Sequence, residues 1–447
     1  MSMRTSRIPA IAVLAAAALG AAACGGSSSP KSTATGGTPS ANTSSSNADS
    51  TAPATLTWWH NGTADPVLSL WQKTADAYHA AHPNVTIKVD PIQNEQFQTK
   101  VPLALQGNDF PTLYQQWGGG GEASQLSSSK VMDLTAATSS WISQLGPAAA
   151  GWQVKGKQYG IPYDLHVVGF WYRKDLFAKA GISAPPTTLD ELNADVAKLK
   201  GAGVTPVSIG SKDRWPDAFW WESFAVRECS LDTLKTQIPA LKLSDPCFKK
   251  AGEDVAAFLA TKPFQNSFLG TPAQQGAGSS AGMVANGQAA MELQGDWELG
   301  VMTPLTSDKN LGSEVGWFPF PAIAGGQGDP KVALGGGDGF SCTTGAPPAC
   351  ADFLKYIDGE DVQKQIAGQN IGLPVNPAAA SSLTNPAVRT AFDYSHSASY
   401  IQTYFDIAMP TNVGQALDSA VADFFAGKGS PQSIIDSVSQ TASGNNK

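Results

Sequence analysis

The stretch that decides the fold reads GIPYDLHVVGFWYRKDLFAKAGI and runs from Gly160 to Ile182. It opens with a turn, because Pro162 fixes its own φ angle and keeps the preceding residue extended. The β-branched and aromatic residues 167–172 then predict a strand. A short amphipathic helix is expected over 175–180, with Gly181 as its C-terminal cap. A strand that leads directly into a helix favours an α/β protein.

The chain before this stretch repeats the same alternation. Residues 55–59, 85–89 and 113–117 read as strands, and helices are expected after Asp65 and over 95–106. Strand–helix–strand–helix–strand order predicts a parallel sheet, with ligands beyond the ends of its strands. At 447 residues the chain is also too long for one ordinary core, so two or more lobes are expected.

Composition limits the partners. The formal net charge is −8, and removal of residues 1–23, which carry Arg4 and Arg7, would leave about −10. An acidic protein of this kind argues against nucleic acid as a partner. Twelve Trp residues are many for this length, and several stand beside turn signals, as a sugar-binding cleft would require, although most Trp residues in any protein belong to the core.

The N-terminus predicts export and anchoring. A basic start, an apolar run of small residues and AAA before Cys24 describe a signal peptide over 1–23. Cys24 in this setting resembles the acylated residue of a lipoprotein, although Ala21 stands where Leu is preferred. Residues 24–54 are rich in Ser, Thr and Gly without an aromatic residue, so we expect a disordered linker that spans roughly 30 Å.

The remaining four cysteines suit an oxidising compartment. Three pairings are possible, and short loops favour Cys229–Cys247 and Cys342–Cys350. Free buried thiols are the alternative. No metal site is expected, because neither a C-x-x-C pair nor a nearby His accompanies these cysteines.

Several motifs share one family pattern. The 160–182 stretch, GQAAMELQGDW at 287–297, GWFPFP at 316–321, the Gly-rich turn at 335–339 and LPVN at 373–376 follow in its order. They resemble the family 1 extracellular solute-binding proteins of ABC importers, the sugar-binding relatives of maltose-binding protein. The resemblance covers about residues 55–430. Thr112 departs from it, since an Asp is usual there.

The resemblance implies a two-lobed α/β fold of the periplasmic-binding-protein type II class, with a hinge and a ligand cleft between the lobes. Lobe I would take residues 55–163 and 312–350, and lobe II 164–311 and 351–447. It implies a monomeric receptor, lipid-anchored on the extracytoplasmic face of the cell membrane. Such a receptor binds a di- or oligosaccharide without any cofactor and delivers it to the permease subunits of an ABC transporter.

Candidate sugar ligands follow the expected strand ends. Rings can cover the C–H faces of a sugar, and amide, carboxyl and imidazole groups can bind its hydroxyls. Gln115 and the four glycines after Trp117 accompany the third strand, and these glycines would let a ligand approach the backbone. Either Trp58 or Trp59 should be core, as should one Trp of 220 and 221, and His166 could equally be structural. The candidates are Trp59, His60, Asn61, Thr63, Gln116, Trp117, Asp164, His166, Trp220, Trp221, Glu222, Asp296, Trp297, Gly337 and Asp338.

Other functions stay open. A polyol or a glycerophosphodiester could replace the sugar within the same class. A secreted carbohydrate-active enzyme would need two carboxylates, for which Glu222 and Asp296 are available. No common hydrolase or nucleotide-binding motif accompanies them. An adhesive surface lipoprotein is a third alternative.

Overall fold

The computed structural model describes residues 52–444. The predicted signal peptide, Cys24 and most of the predicted linker lie outside these residues. Within them, no helix is both long and apolar enough to cross a membrane.

Fourteen strands are present in the described residues. They are β1 Ala54–His60, β2 Val85–Pro91, β3 Leu113–Gln116, β4 Gln153–Val154, β5 Lys157–Gln158, β6 Ile161–Pro162, β7 Asp164–Arg173, β8 Thr205–Ser208, β9 Ala289–Gly295, β10 Val315–Pro319, β11 Val332–Gly336, β12 Gly339–Cys342, β13 Leu373–Pro374 and β14 Tyr400–Thr403.

The α-helices of the same region surround the strands. They are α1 Val67–Ala81, α2 Asn94–Gln106, α3 Gly119–Gln125, α4 Thr135–Thr138, α5 Lys174–Lys179, α6 Leu189–Gly201, α7 Trp215–Glu228, α8 Leu231–Gln237, α9 Pro246–Ala260, α10 Ser280–Ala285, α11 Glu298–Met302, α12 Leu311–Glu314, α13 Ala349–Ile357, α14 Glu360–Gly368, α15 Pro386–Ser397, α16 Phe405–Ala408, α17 Thr411–Phe425 and α18 Pro431–Gly444. Short 3₁₀ helices occupy Leu126–Ser128, Ile142–Trp152, Ser211–Asp213, Phe268–Gly270, Thr303–Leu305 and Pro377–Ser382.

Two sheets define the two lobes. The first has the order β2-β1-β3-β12-β6, in which β1 is parallel to β2 and β3. The second has the order β14-β11-β7-β9-β8, and β10 and β13 also pair with β7. The two-lobed α/β class expected from the sequence is confirmed.

Strand β7 lies at the centre of the second sheet. It pairs with β9, β10, β11 and β13, so it extends over ten residues instead of the six that the sequence predicts. Gly181 follows α5 with φ +71°, the left-handed conformation expected of a helix cap. Thr188 and Glu191 form a capping box at the start of α6, because each side chain accepts a hydrogen bond from the other's backbone N–H.

The lobe boundaries differ from those implied by the resemblance. Residues 315–336 were expected in lobe I, but β10 and β11 pair with β7 in lobe II. Residues 351–371 were expected in lobe II, but α13 and α14 pack on the core of lobe I. The chain therefore crosses between the sheets near 163–164, 337–338 and 371–373. Pairing with a strand about 150 residues away decides this arrangement, and no local pattern records it.

Each lobe contains one of the two expected disulfides. In lobe II, Cys229–Cys247 joins the end of α7 to the start of α9. In lobe I, Cys342–Cys350 joins β12 to α13, which fixes α13 against the first sheet. Both pairings favoured by loop length are confirmed.

Candidate functional site

A cleft with a cavity volume of about 280 Å³ lies between the lobes. Its lobe I wall comes from the turn after β1 and from the start of α2. Its lobe II wall comes from the segment that leads into α7, the loop at 273–275 and the turn after β9. The crossing segments form the floor. Ligands were expected beyond strand ends, and this is where the cavity lies.

The floor is built around His166. The carboxylate of Asp296 lies 3.2 Å from its Nδ1, and Oδ1 of Asp164 lies 3.1 Å from its Nε2. Oδ2 of Asp338 is 3.5 Å from the same Nε2 and accepts a hydrogen bond from the Tyr163 hydroxyl at 3.2 Å. The floor thus places three carboxylates around one imidazole, of which Asp338 is the most exposed.

Burial and neighbouring charges shift the pKa values of two of these groups, His166 and Asp164. Burial alone would lower the pKa of His166, but the carboxylates of Asp164 and Asp296 raise it well above its ordinary value. Burial also raises the pKa of Asp164 to about 7, against the opposing effect of His166. His166 is therefore a cation at neutral pH, and its two ring N–H groups donate to Asp296 and Asp164.

The backbone holds the floor rigidly. The N–H of Val167 donates to Asp296 at 2.8 Å, and the N–H of Asp338 donates to Asp164 at 2.7 Å. The crossing at 337–338 is thereby tied to the one at 163–164, and β7 is tied to the turn after β9.

One ligand atom each of Asp164, His166 and Asp338 lies within 4.8 Å of the others, so this group could hold a metal ion. In the structure the two carboxylates face His166 Nε2, Asp164 at 3.1 Å and Asp338 at 3.5 Å.

Aromatic rings dominate the lobe II wall. The Trp297 ring meets the edge of His166 at a centroid distance of 4.6 Å. Trp215 and Phe219, one helical turn apart on α7, lie 5.3 Å from each other, and Phe219 stacks on Tyr404 at 5.0 Å. Trp297 can occupy this position because Gly295 has no side chain: a Cβ there would lie 2.1 Å from the Trp297 ring.

Amide groups dominate the lobe I wall. Asn61 donates to Asn94 at 3.0 Å, and its N–H donates to Gln115. Gln93 caps α2 through Oε1 and donates to Glu95 through its amide nitrogen. Trp117, which contacts Phe97 edge-on, adds an aromatic ring to this wall.

A family model for bacterial extracellular solute-binding proteins matches residues 62–364, which is more than half of the chain. The chain belongs to this family. The resemblance seen in the sequence is confirmed.

Individual relatives agree with this assignment. An uncharacterized ABC transporter extracellular-binding protein of Pyrococcus horikoshii is 26% identical over 276 residues, which is 59% of this chain and 59% of that protein. The chain thus matches about three fifths of that relative's length.

Solved structures share the fold. One, from work on xylan utilization by the thermophilic bacterium Caldanaerobius polysaccharolyticus, has a TM-score of 0.80 at 23% identity and covers 86% of this chain and 99% of that chain. A chitin oligosaccharide binding protein has a TM-score of 0.78 at 22% identity, with 88% and 99% covered.

Six of the predicted site residues of this solute-binding protein line the cleft. They are Asn61, Thr63, Trp117, His166, Trp297 and Asp338. Asp164 and Asp296 lie directly behind them, fully buried, and position His166.

The other predictions on lobe I need correction. His60 is buried: its Nδ1 accepts from the N–H of Gly62, and burial lowers its pKa to about 3, so it is neutral. The Trp59 ring packs under the Lys100 ammonium at 3.8 Å, outside the cleft lining. The Gln116 side-chain amide donates a hydrogen bond to Gln125, and Gln116 borders a second cavity of about 50 Å³ instead of the cleft. Gly337 packs against the backbone of Asp164.

The prediction for the aromatic run of α7 was also wrong. Trp220 and Trp221 are core residues of lobe II, and Trp220 stacks on Phe258 at 4.8 Å. Glu222 is fully buried and accepts from the N–H of Phe405, so it cannot act with Asp296 as a carboxylate pair in the cleft. The helix presents Trp215 and Phe219 to the cleft instead, and their i, i+4 spacing is a signal that the sequence contained.

The four glycines after Trp117 have a different role from the one expected. A Cβ on Gly120 would lie 2.5 Å from the carbonyl oxygen of Ala408 in lobe II. Ser124 on the same helix lies within hydrogen-bond distance of Thr411, at 3.2 Å. Gly119 and Gly120 let α3 approach the other lobe, so these two serve contact between lobes instead of contact with a ligand.

Further cleft residues were not predicted. They are Gln93, Glu95, Gln98, Asp213, Gln274, Gln275, Tyr404 and Asp406 among others. Gln93 and Glu95 follow the end of β2, so the strand-end rule that selected Asn61 would also have found them. The loop at 273–275 carries no comparable signal.

Proposed function

We propose that this protein is the carbohydrate receptor of an ABC importer, lipid-anchored through Cys24. The observation that carries the proposal is the division of the cleft into an aromatic wall and an amide wall. A sugar has apolar C–H faces that suit rings such as Trp215 and Trp297, and a rim of hydroxyls that suits Asn61, Gln93 and Gln98. The xylan and chitin connections of the two solved structures agree with this class of solute.

Capture would proceed by closure of the lobes about the crossing segments. Hinges of this kind consist of a few residues that absorb the change in backbone angles. Residues 163–164 and 337–338 carry the floor groups and stand at two crossings, so closure would bring both walls to the ligand without moving His166 from its carboxylates. The closed, monomeric receptor would then dock on the permease.

Thermal unfolding of the purified protein with a panel of mono- and oligosaccharides tests the proposal. A ligand that binds only the folded state raises the midpoint, by an amount that grows with concentration over Kd. Chromatography of each sugar after incubation separates a receptor from an enzyme. We expect one series of saccharides to raise the midpoint and to be recovered unchanged. A shift only with polyols or phosphodiesters would replace carbohydrate as the solute, and cleaved sugar would contradict the receptor role.

The anchor has its own test. Cys24→Ser removes the thiol that would carry the lipid, so the protein is expected to move from the membrane fraction to the medium in the producing bacterium. Unchanged membrane association of this variant would contradict the anchor without affecting the sugar assignment.

A further inference from the structure

The charge of the cleft is one-sided. Among the described residues that line it, none is Lys or Arg, and the only basic side chain is His166. Five carboxylates line the same cavity: Asp65, Glu95, Asp213, Asp338 and Asp406. Low-dielectric walls of one charge sign concentrate ligands of the opposite sign.

The charge of His166 does not offset these carboxylates. Both of its ring nitrogens are already engaged, by Asp296 at 3.2 Å and by Asp164 at 3.1 Å. Asp338 is the third acid at the same imidazole, so the floor itself keeps an excess of negative charge.

Two basic residues near the cleft are directed elsewhere. The Lys100 ammonium lies over the Trp59 ring, and the Arg214 guanidinium donates to Ser419 at 3.1 Å. Neither residue lines the cleft. The excess charge is therefore available to a ligand.

The aromatic wall suits the same kind of ligand. Trp215, Phe219 and Tyr404 form a continuous group of rings, and the Tyr404 hydroxyl is buried without a hydrogen-bond partner among the described residues. Ring faces attract a cation electrostatically, most strongly when water is excluded. Trp297 continues this surface down to the floor beside Asp338 and His166.

We infer that the solute is a carbohydrate that carries a protonated amine, which binds between the ring faces of lobe II and the carboxylates of Asp338 and Asp406. This inference rests on the proposed carbohydrate function and narrows it to amino sugars and amine-bearing oligosaccharides. A phosphate or sugar acid would meet five carboxylates, and His166, the one basic side chain of the described lining, already has both ring nitrogens engaged by Asp296 and Asp164. The glycerophosphodiester alternative is thereby disfavoured.

Calorimetric titration with three disaccharides that differ only at the 2-position tests the inference. Cellobiose carries hydroxyls there, di-N-acetylchitobiose carries neutral amides, and chitobiose carries amines that are protonated below their pKa. A hydrogen bond to a charged group is stronger than one between neutral groups, so we expect chitobiose to bind on the order of 10- to 100-fold more tightly than the other two. Added salt should reduce this preference.

Variants locate the charge that selects the amine. Asp338→Asn should remove most of the chitobiose preference, measured as the ratio of the Kd of cellobiose to the Kd of chitobiose. Asp406→Asn provides a second test in case the first variant disturbs the floor. Asp423→Asn removes the same charge from the exposed face of α17 outside the cleft and serves as the matched control.

Each outcome decides the matter. Equal or tighter binding of the neutral disaccharides would overturn the inference and leave the proposed carbohydrate function intact. If Zn²⁺ or Ca²⁺ binds with loss of the chitobiose preference, the excess charge belongs to a metal site and the inference is wrong. Failure of all three disaccharides, together with the whole saccharide panel, would overturn the proposed function as well.

Discussion

The two walls of the cleft differ in what they can offer a solute. Among the described lining residues, lobe II contributes the rings of Trp215, Phe219, Trp297 and Tyr404, whereas lobe I contributes mainly the amides of Asn61, Gln93, Asn94 and Gln98. Stacking on rings depends little on the orientation of hydroxyls, whereas amides bind particular hydroxyls. The difference suggests a division of labour, in which lobe II supplies affinity and lobe I supplies discrimination after closure.

The largest effect should come from removing a ring. Trp297→Ala is expected to weaken binding of the cognate saccharide by about 100-fold, since buried aromatic anchors carry most of the energy at binding sites. Gln98→Ala on the opposite wall should cost about 10-fold or less, because it removes one hydrogen bond to a neutral group. Calorimetric titration measures the loss of affinity in each variant. Equal losses would contradict the proposed division of labour between the walls.

The contact between the lobes provides the next test. Gly120→Ala places a methyl group 2.5 Å from the Ala408 carbonyl oxygen. Overpacking of this kind typically costs about 1–3 kcal/mol in the free energy of unfolding, and we expect the strained lobe contact to weaken ligand binding as well. Gly201→Ala is the control, because Gly201 lies in α6 with open space around its Cβ position. If both variants behave alike in chemical denaturation and in titration, the close approach of α3 to lobe II contributes neither to stability nor to ligand binding.

The sequence could predict the parts of this site that depend on local pattern. Asn61 and Thr63 were predicted from their position after β1. Asp296 and Trp297 were predicted from the GDW element at the end of β9. The sequence could not predict the orientation of α7. Nearly all residues of this helix are buried, including the charged Asp217, Glu222 and Arg227, so a hydrophobic stripe cannot distinguish the core side from the cleft side. The crossings at 337–338 and 371–373 were likewise misplaced, because strand pairing with β7 is non-local.

The buried groups behind the two walls also differ in whether they titrate, and the pH dependence of stability should reveal this difference. Behind the lobe II wall, burial raises the pKa of Glu298 to about 8 and, together with Glu298, raises that of Glu292 well above its ordinary value. Gln274 of the cleft contacts Glu298, so this pair lies directly under the wall. The lobe I wall rests on the amides of Asn61 and Asn94, which do not titrate. Lobe I also contains buried acids with raised pKa values, Glu122 and Asp358, but no cleft-lining side chain hydrogen-bonds to them in the described residues.

The folded protein therefore keeps protons that the unfolded chain releases at its lower carboxyl pKa. The free energy of unfolding should fall as pH rises from about 5 to 8, by about 1 kcal/mol per pH unit for each such proton. Glu298→Gln keeps the shape and removes the titration, so it should flatten this slope, whereas Asp423→Asn on the surface should leave it unchanged. Denaturation at several pH values measures both slopes, and parallel curves for all three proteins would contradict the prediction.

The smallest expected difference between the lobes concerns their disulfides. Cys229–Cys247 closes a separation of 18 residues in lobe II, and Cys342–Cys350 closes one of 8 in lobe I. Loop-closure entropy of the unfolded chain predicts about 3 kcal/mol for the longer loop and about 2.5 kcal/mol for the shorter one. Paired Cys→Ala replacements in each lobe, compared by chemical denaturation, should therefore destabilise lobe II slightly more. The opposite order would mean that the bond between β12 and α13, which fixes a lobe I helix against its sheet, contributes native-state packing beyond the loop entropy.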